Sequence, residues 1–119
     1  MRWYKLNATG RQPTARSSHT AVLCKNQLFI MGGRNDSLFA DSEESSIKEI
    51  AVLNIKACQW EMLKLYGDIP DGRWGAFAEV IGSKIFYLGG MKLNEYKNMQ
   101  MYQFETDSRN IRELVRMDQ

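Results

Sequence analysis

Gln27-Leu28-Phe29-Ile30-Met31-Gly32-Gly33 returns further along the chain as Lys84-Ile85-Phe86-Tyr87-Leu88-Gly89-Gly90. In both, a short, nearly continuous apolar run stops at a pair of glycines. The interval from Gly32 to Gly89 also separates Trp3 from Trp60, Pro13 from Pro70, and Arg16 from Arg73. Between these anchors Ala21 falls on Ala78, Leu28 on Ile85, Phe29 on Phe86 and Ile30 on Tyr87. So many positions agreeing on one ungapped offset make an internal repeat, which sets the reading of every shorter segment.

Each copy reads as short antiparallel strands. His19 to Cys24 is followed by the tight turn Lys25-Asn26, then Gln27 to Met31. In the second copy Trp74 to Ile81 leads through Gly82-Ser83, a two-residue hairpin turn with glycine first, into Lys84 to Leu88. Apolar runs of this length bounded by turn signals predict strands buried on both faces. A glycine pair suits the place where such a strand stops, because residues without a Cβ tolerate positive φ and close backbone approach. After each pair comes a polar loop and two more predicted strands. These are 47–55 and 59–63 in copy one, and 98–105 and 110–115 in copy two, where the loop is shorter. Four strands in roughly 50 residues is the period of a propeller blade.

Composition excludes several alternatives. The chain has 119 residues, 44% hydrophobic and 25% charged, with net charge +2. A clustered basic face of the nucleic-acid-binding kind is not apparent, so no nucleic acid is expected. No apolar run is longer than Ile85 to Leu88, far too short to cross a bilayer, so no membrane is expected either. Cys24 and Cys58 are too few and too far apart for a disulfide framework or zinc site, and read as reduced thiols of a cytoplasmic protein. Residues 1–35 carry six basic residues and no acidic one. Organelle leaders share that trait, but here the same stretch also carries the repeat.

The pattern Pro13…Arg16-Ser17-Ser18-His19-Thr20-Ala21…Leu28-Phe29-Ile30-Met31-Gly32-Gly33…Leu53-Asn54…Trp60 resembles a kelch repeat. Pro70…Arg73-Trp74-Gly75…Ile85-Phe86-Tyr87-Leu88-Gly89-Gly90…Tyr102…Phe104 resembles a second. The second departs from the pattern at Ala76, where copy one has His19, and at Ile111, where it has Trp60. The resemblance implies an all-β fold of antiparallel four-stranded blades, about two of them, forming an incomplete β-propeller. Residues 1–16 would be the last strand of a preceding blade and a linker, 17–66 repeat one, and 67–119 repeat two. Trp3 and Trp60 would pack between blades as large buried rings. Arg16 and Arg73 would hold interblade loops, since one guanidinium can satisfy several carbonyls. Gly32, Gly33, Gly89 and Gly90 complete this structural set, and His19 occupies a repeat position that implies a structural role.

A search for chemistry turns up little. There is no HExxH, P-loop, GxSxG or Cys/His cluster, and one histidine cannot build a hydrolytic or metal site. The methionines read as padding rather than ligands. No enzyme activity, cofactor or metal is therefore expected of this chain. A protein partner is expected instead, bound through variable loops on a rigid scaffold. The loop after the first glycine pair supplies Arg34, Asn35, Asp36 and Phe39. That after the second supplies Lys92, Asn94 and Tyr96, and the connecting segment supplies Tyr66. Ser42, Ser45 and Ser46 lie beside acidic residues in a composition that suits phosphorylation.

In the kelch family such modules serve as adaptors, ligase substrate receptors or cytoskeletal linkers. The alternatives are a part of a kelch-like propeller enzyme whose catalytic residues lie outside this chain, and an architectural subunit of a large complex. Length adds one more expectation. Propellers have four to eight blades, and repeat units bury their faces only against neighbours. Further kelch blades, in cis or in trans, should therefore complete the ring.

Overall fold

A computed structural model describes residues 1–35, 46–92, 95–96 and 100–116. Among them the fold is all-β, in two five-stranded sheets and one small hairpin. Sheet one runs in the order β1 (Thr9–Gly10), β5 (Gln59–Met62), β4 (Ile50–Asn54), β3 (Gln27–Met31), β2 (Thr20–Cys24). Sheet two repeats it as β6 (Tyr66–Gly67), β12 (Asn110–Arg116), β11 (Gln100–Glu105), β8 (Lys84–Leu88), β7 (Phe77–Ile81). The hairpin joins β9 (Met91–Lys92) to β10 (Glu95–Tyr96).

Four strands of each sheet form an antiparallel meander, as the repeat predicts. Lys25 and Asn26 both take positive φ (50° and 64°), the geometry of a hairpin turn whose twist matches its strands. The fifth strand of each sheet was not legible as a strand. It is a two-residue stretch of the linker that pairs in parallel with the outer strand, Gly10 opposite Trp60 and Gly67 opposite Ile111. Glycine is required at both places. A Cβ on either would lie 2.2 Å from the carbonyl oxygen of the residue it faces, and both sit at strongly positive φ (86° and 105°). These two glycines obey the same repeat offset as the prolines, so the repeat begins upstream of Pro13.

The core lies between the two blades. Phe29, Met31, Ile50 and Val52 of blade one meet Ile85, Tyr87, Tyr102, Phe104 and Ile111 of blade two. Cross-strand pairing explains the choice. Phe29 stands opposite Val52 and Met31 opposite Ile50, so the four share one face. Tyr87 stands opposite Tyr102, and Ile85 opposite Phe104, on the facing surface. Phe29 and Phe104 meet edge to face across the interface, their centroids 5.8 Å apart. The inner strands also touch directly. Thr20 Oγ1 donates to the Ala76 carbonyl at 2.7 Å, and Cys24 Sγ lies 3.5 Å from the Gly82 carbonyl.

Two expectations need correction. The β8 strand is buried on one face only. Ile85 and Tyr87 are sealed, but Lys84 is exposed and Phe86 and Leu88 are half-buried. A strand is covered on both faces only when its sheet has neighbours on both sides, and among the described residues blade two packs against one. Trp3, expected to pack between blades, belongs to no strand among the described residues and is 93% exposed. Trp60, its counterpart, is half-buried on the face of blade one turned away from the core.

Candidate functional site

The strands β3 and β8 deliver their glycine pairs to the same end of the two blades. At that end each blade has one buried arginine. Arg16 donates from Nη1 to the Gly32 carbonyl at 2.9 Å, from Nε to the Thr14 carbonyl at 2.9 Å, and from Nη2 to Glu49. Arg73 repeats the arrangement, reaching the Gly89 carbonyl at 3.3 Å, the Asp71 carbonyl at 3.3 Å and the Asp71 carboxylate at 2.8 Å. The planar fork satisfies one strand-ending carbonyl, one linker carbonyl and an acid at once, which a lysine cannot match.

Electrostatics at this end follow from burial. Burial lowers the Arg16 guanidinium, and the adjacent Glu49 carboxylate works against that fall. For Asp71 burial favours the neutral acid, but the Lys92 hydrogen bond and the Arg73 charge together outweigh it, so the carboxyl sits below its ordinary value. Burial pushes the Tyr87 phenol up to about 12, against the opposing influence of Arg73. Arg73 is 1% exposed and its guanidinium lies 5.4 Å from the Tyr102 ring centre, so a cationic group is buried with each of its three nitrogens hydrogen-bonded.

Backbone contacts tie the first loop to both blades. Arg34 bridges to Ser17 on one side and Ser46 on the other, and Trp74 bridges to Met91. The Gly33 amide donates to the Arg73 carbonyl at 2.8 Å, and the Gly75 amide to the Ser18 carbonyl at 2.9 Å. The Arg34 guanidinium sits 4.7 Å from the centre of the Trp74 ring, a cation–π contact from one blade to the other.

The residues singled out from sequence divide among these places. Arg34, Asn35 and Lys92 come together at the double-glycine end, but each is held by the protein itself. Asn35 Nδ2 donates to the Ala15 carbonyl at 2.6 Å, and Lys92 Nζ pairs with Asp71 at 3.3 Å. Tyr66 is not with them. It stands opposite Asn110 at the other end of the sheet, half exposed, with Lys64 Nζ 5.8 Å from its ring centre. The Tyr96 backbone pairs with Met91 in the hairpin. Asp36, Phe39 and Asn94 lie outside the described residues, as do Ser42 and Ser45. Ser46 is buried at 5% exposure, which withdraws its hydroxyl from a modifying enzyme.

Sequence reasoning passed over His19, Lys48 and Trp74. His19, read as structural, is exposed, and its Cβ would lie 3.1 Å from one added at Gly33. Lys48 is exposed on the segment returning from the first loop. Only Trp74 carried a sequence signal, since it follows the repeated arginine where copy one has Ser17. No three His, Cys, Asp or Glu side chains gather into a metal-binding group among the described residues. No helix among the described residues is long and apolar enough to cross a membrane. The arrangement offers exposed polar groups on a braced backbone, suited to recognition.

Comparison with known proteins agrees with this architecture. The family model of the KLHDC2/KLHL20/DRC7 kelch-repeats domain matches residues 1–118. The chain is 32% identical over 106 residues to the host cell factor of Drosophila melanogaster, a match covering 87% of this chain and 6% of that protein. It is 31% identical over 107 residues to human host cell factor 2, covering 88% of this chain and 12% of the relative. The kelch domain-containing protein 3 of Bos taurus is 29% identical over 98 residues, covering 76% and 24%. The chain thus spans a quarter or less of each of these relatives. Kelch repeats are in general protein-interaction domains. The constant repeat offset, the two matching sheets with their paired arginines, and the match over residues 1–118 all lead to one conclusion: this chain belongs to the kelch-repeat family.

Proposed function

We propose that this chain is a non-catalytic recognition module whose double-glycine end contacts a protein partner. One observation carries the reading. Both blades present loops at that end whose backbones are pinned by buried arginines and interblade hydrogen bonds, leaving Ser17, Ser18, His19 and Lys48 exposed on a rigid support. A preorganised surface loses little entropy on binding, so modest contacts suffice for capture. Arg34, Asn35 and Lys92 contribute by holding that surface in shape, and Arg34 and Lys92 also by their charge. The role is that of an adaptor or scaffold, in the cytoplasm.

The test is affinity capture followed by reconstitution with the purified partner. One variant carries His19→Glu and Lys48→Glu. Its control carries Lys25→Glu and Lys56→Glu at the opposite end of the blades. The first should reduce partner affinity at least tenfold with an unchanged circular dichroism spectrum, and the second should not. Loss in the control alone would place binding at the other end and refute the proposal.

A further inference from the structure

Both blades carry a cleft beside the outer strand, at the hairpin-turn end, and its walls are the same repeat positions in each. In blade one Gln27, Asn54 and Gln59 stand opposite one another in one row, with Val52 and Glu61 in the next. In blade two the rows are Lys84, Glu105 and Asn110, then Gln103 and Arg112. Trp60 corresponds to Ile111, so the place of Glu61 is taken by Arg112.

The first cleft, of about 170 Å³, is met by a hairpin turn of blade two. Arg109, in the turn between β11 and β12, donates from Nη2 to Glu61 Oε1 at 2.7 Å. Lys25 joins blade one to the same turn, 3.4 Å from Asp107. The second cleft is larger, about 680 Å³, and its charges are arranged differently. Lys84 is occupied by Glu105 at 3.5 Å, and Asp68 on the same wall accepts the Glu113 amide at 3.1 Å. Arg112 is exposed, and among the described residues its side chain has no ion-pair partner.

The charge at the equivalent position is therefore reversed. Blade one offers an acid to an arginine, whereas blade two offers an arginine. The counterpart of Lys25 is Gly82, so the second ion pair has no equivalent either. The group that suits the guanidinium fork of Arg112 is a planar carboxylate. An exposed pair of this kind adds little to affinity. A like charge in the same place is repelled, so the contact selects one partner over another.

We propose that the blade-two cleft is a receptor for an Asp or Glu side chain at the tip of a β-hairpin in a partner polypeptide, held by Arg112 as Glu61 holds Arg109. The hairpin follows from blade one, where the same cleft is met by a turn between two strands. A second copy of this chain does not supply the acid. In the place of Arg109 its blades carry Cys58 and Arg109 itself. The proposal is independent of the partner-binding reading, because the double glycines lie at the other end of the strands.

The test brings a hairpin of known sequence to the cleft. A copy of residues 100–116 is tethered behind Gln119 of the full chain by a flexible glycine-serine linker, which raises its effective concentration to about the millimolar range. One fusion carries Arg109→Glu in the added hairpin, and the other keeps the arginine. The backbone amide resonances of Gln103 and Asn110 should shift at least threefold more with the glutamate hairpin. Exchange of the Arg112 Nε–H should slow at least threefold. High salt should abolish both effects, and Arg112→Gln should cancel the amide shifts. Amide shifts no larger with glutamate than with arginine overturn the proposal. Equal shifts produced by free glutarate overturn the choice of a hairpin. A second measurement uses the interface already formed. Glu61→Arg should lower the urea midpoint by setting two arginines together, and adding Arg109→Glu should restore at least half of the loss. A double variant no more stable than Glu61→Arg overturns the premise that this cleft accepts the reversed pair.

Discussion

The contact between Phe29 and Phe104 measures whether the two blades form one cooperative unit. The rings come from different blades, are 2% and 0% exposed, and meet edge to face at 5.8 Å. Phe104→Ala removes most of a sealed side chain and leaves a cavity between two rigid sheets, which costs about 3–5 kcal/mol. The edge-to-face pair accounts for about 0.5–1.5 kcal/mol beyond area burial. A cycle of Phe29→Leu, Phe104→Leu and the double variant keeps the blades folded and isolates that coupling. The double variant should be less destabilised than the sum of the singles by that amount. Urea unfolding followed by far-ultraviolet circular dichroism gives each stability from one transition, with similar slopes across the set. Additivity within about 0.3 kcal/mol would mean that the rings do not share an interface. Two separate transitions, with Phe104→Ala moving only one, would show that each blade folds alone and would refute an interblade core.

Two other predictions concern single positions. Ser18 adopts φ 56°, whereas its repeat counterpart at φ 70° is Gly75, so Ser18→Gly should relieve left-handed strain and raise the urea midpoint, a gain of up to about 1 kcal/mol. The Tyr87 phenol is raised to about 12 in the fold from an ordinary value near 10, so above pH 10 the unfolded chain ionises first and binds fewer protons than the native one. Stability should be intact below pH 10 and fall by roughly 2–3 kcal/mol as pH rises to 12. Tyr87→Phe should remove that part of the slope in denaturation measured from pH 9 to 12.

Local pattern went far in this protein because each blade is built from near neighbours in sequence. Turn residues such as Lys25-Asn26 and Gly82-Ser83, and apolar runs ending in glycine pairs, announce hairpins whose register follows from turn length. Recurrence at one constant interval then made two blades legible together with their matching arginines. The linker strands escaped notice because two residues carry no periodicity, and only the shared offset of Gly10 and Gly67 marks them. Among candidate site residues, Arg34 and Lys92 were found, but their attachment to Trp74 and Asp71 was not. Those contacts link segments far apart in sequence.

The sequence by itself determined the four antiparallel strands of each blade, their order and the repeat that makes the blades alike. These depend on apolar runs and turns, which are short-range properties of the chain, and on one constant repeat offset. Only the tertiary structure decided which face of each sheet is core. The Phe29–Val52 and Ile85–Phe104 faces seal each other, while Trp60 and Leu28 face outward despite equal hydrophobicity. Burial in a blade is conferred by the neighbour that covers it, and a sheet's own residues do not say on which side that neighbour stands.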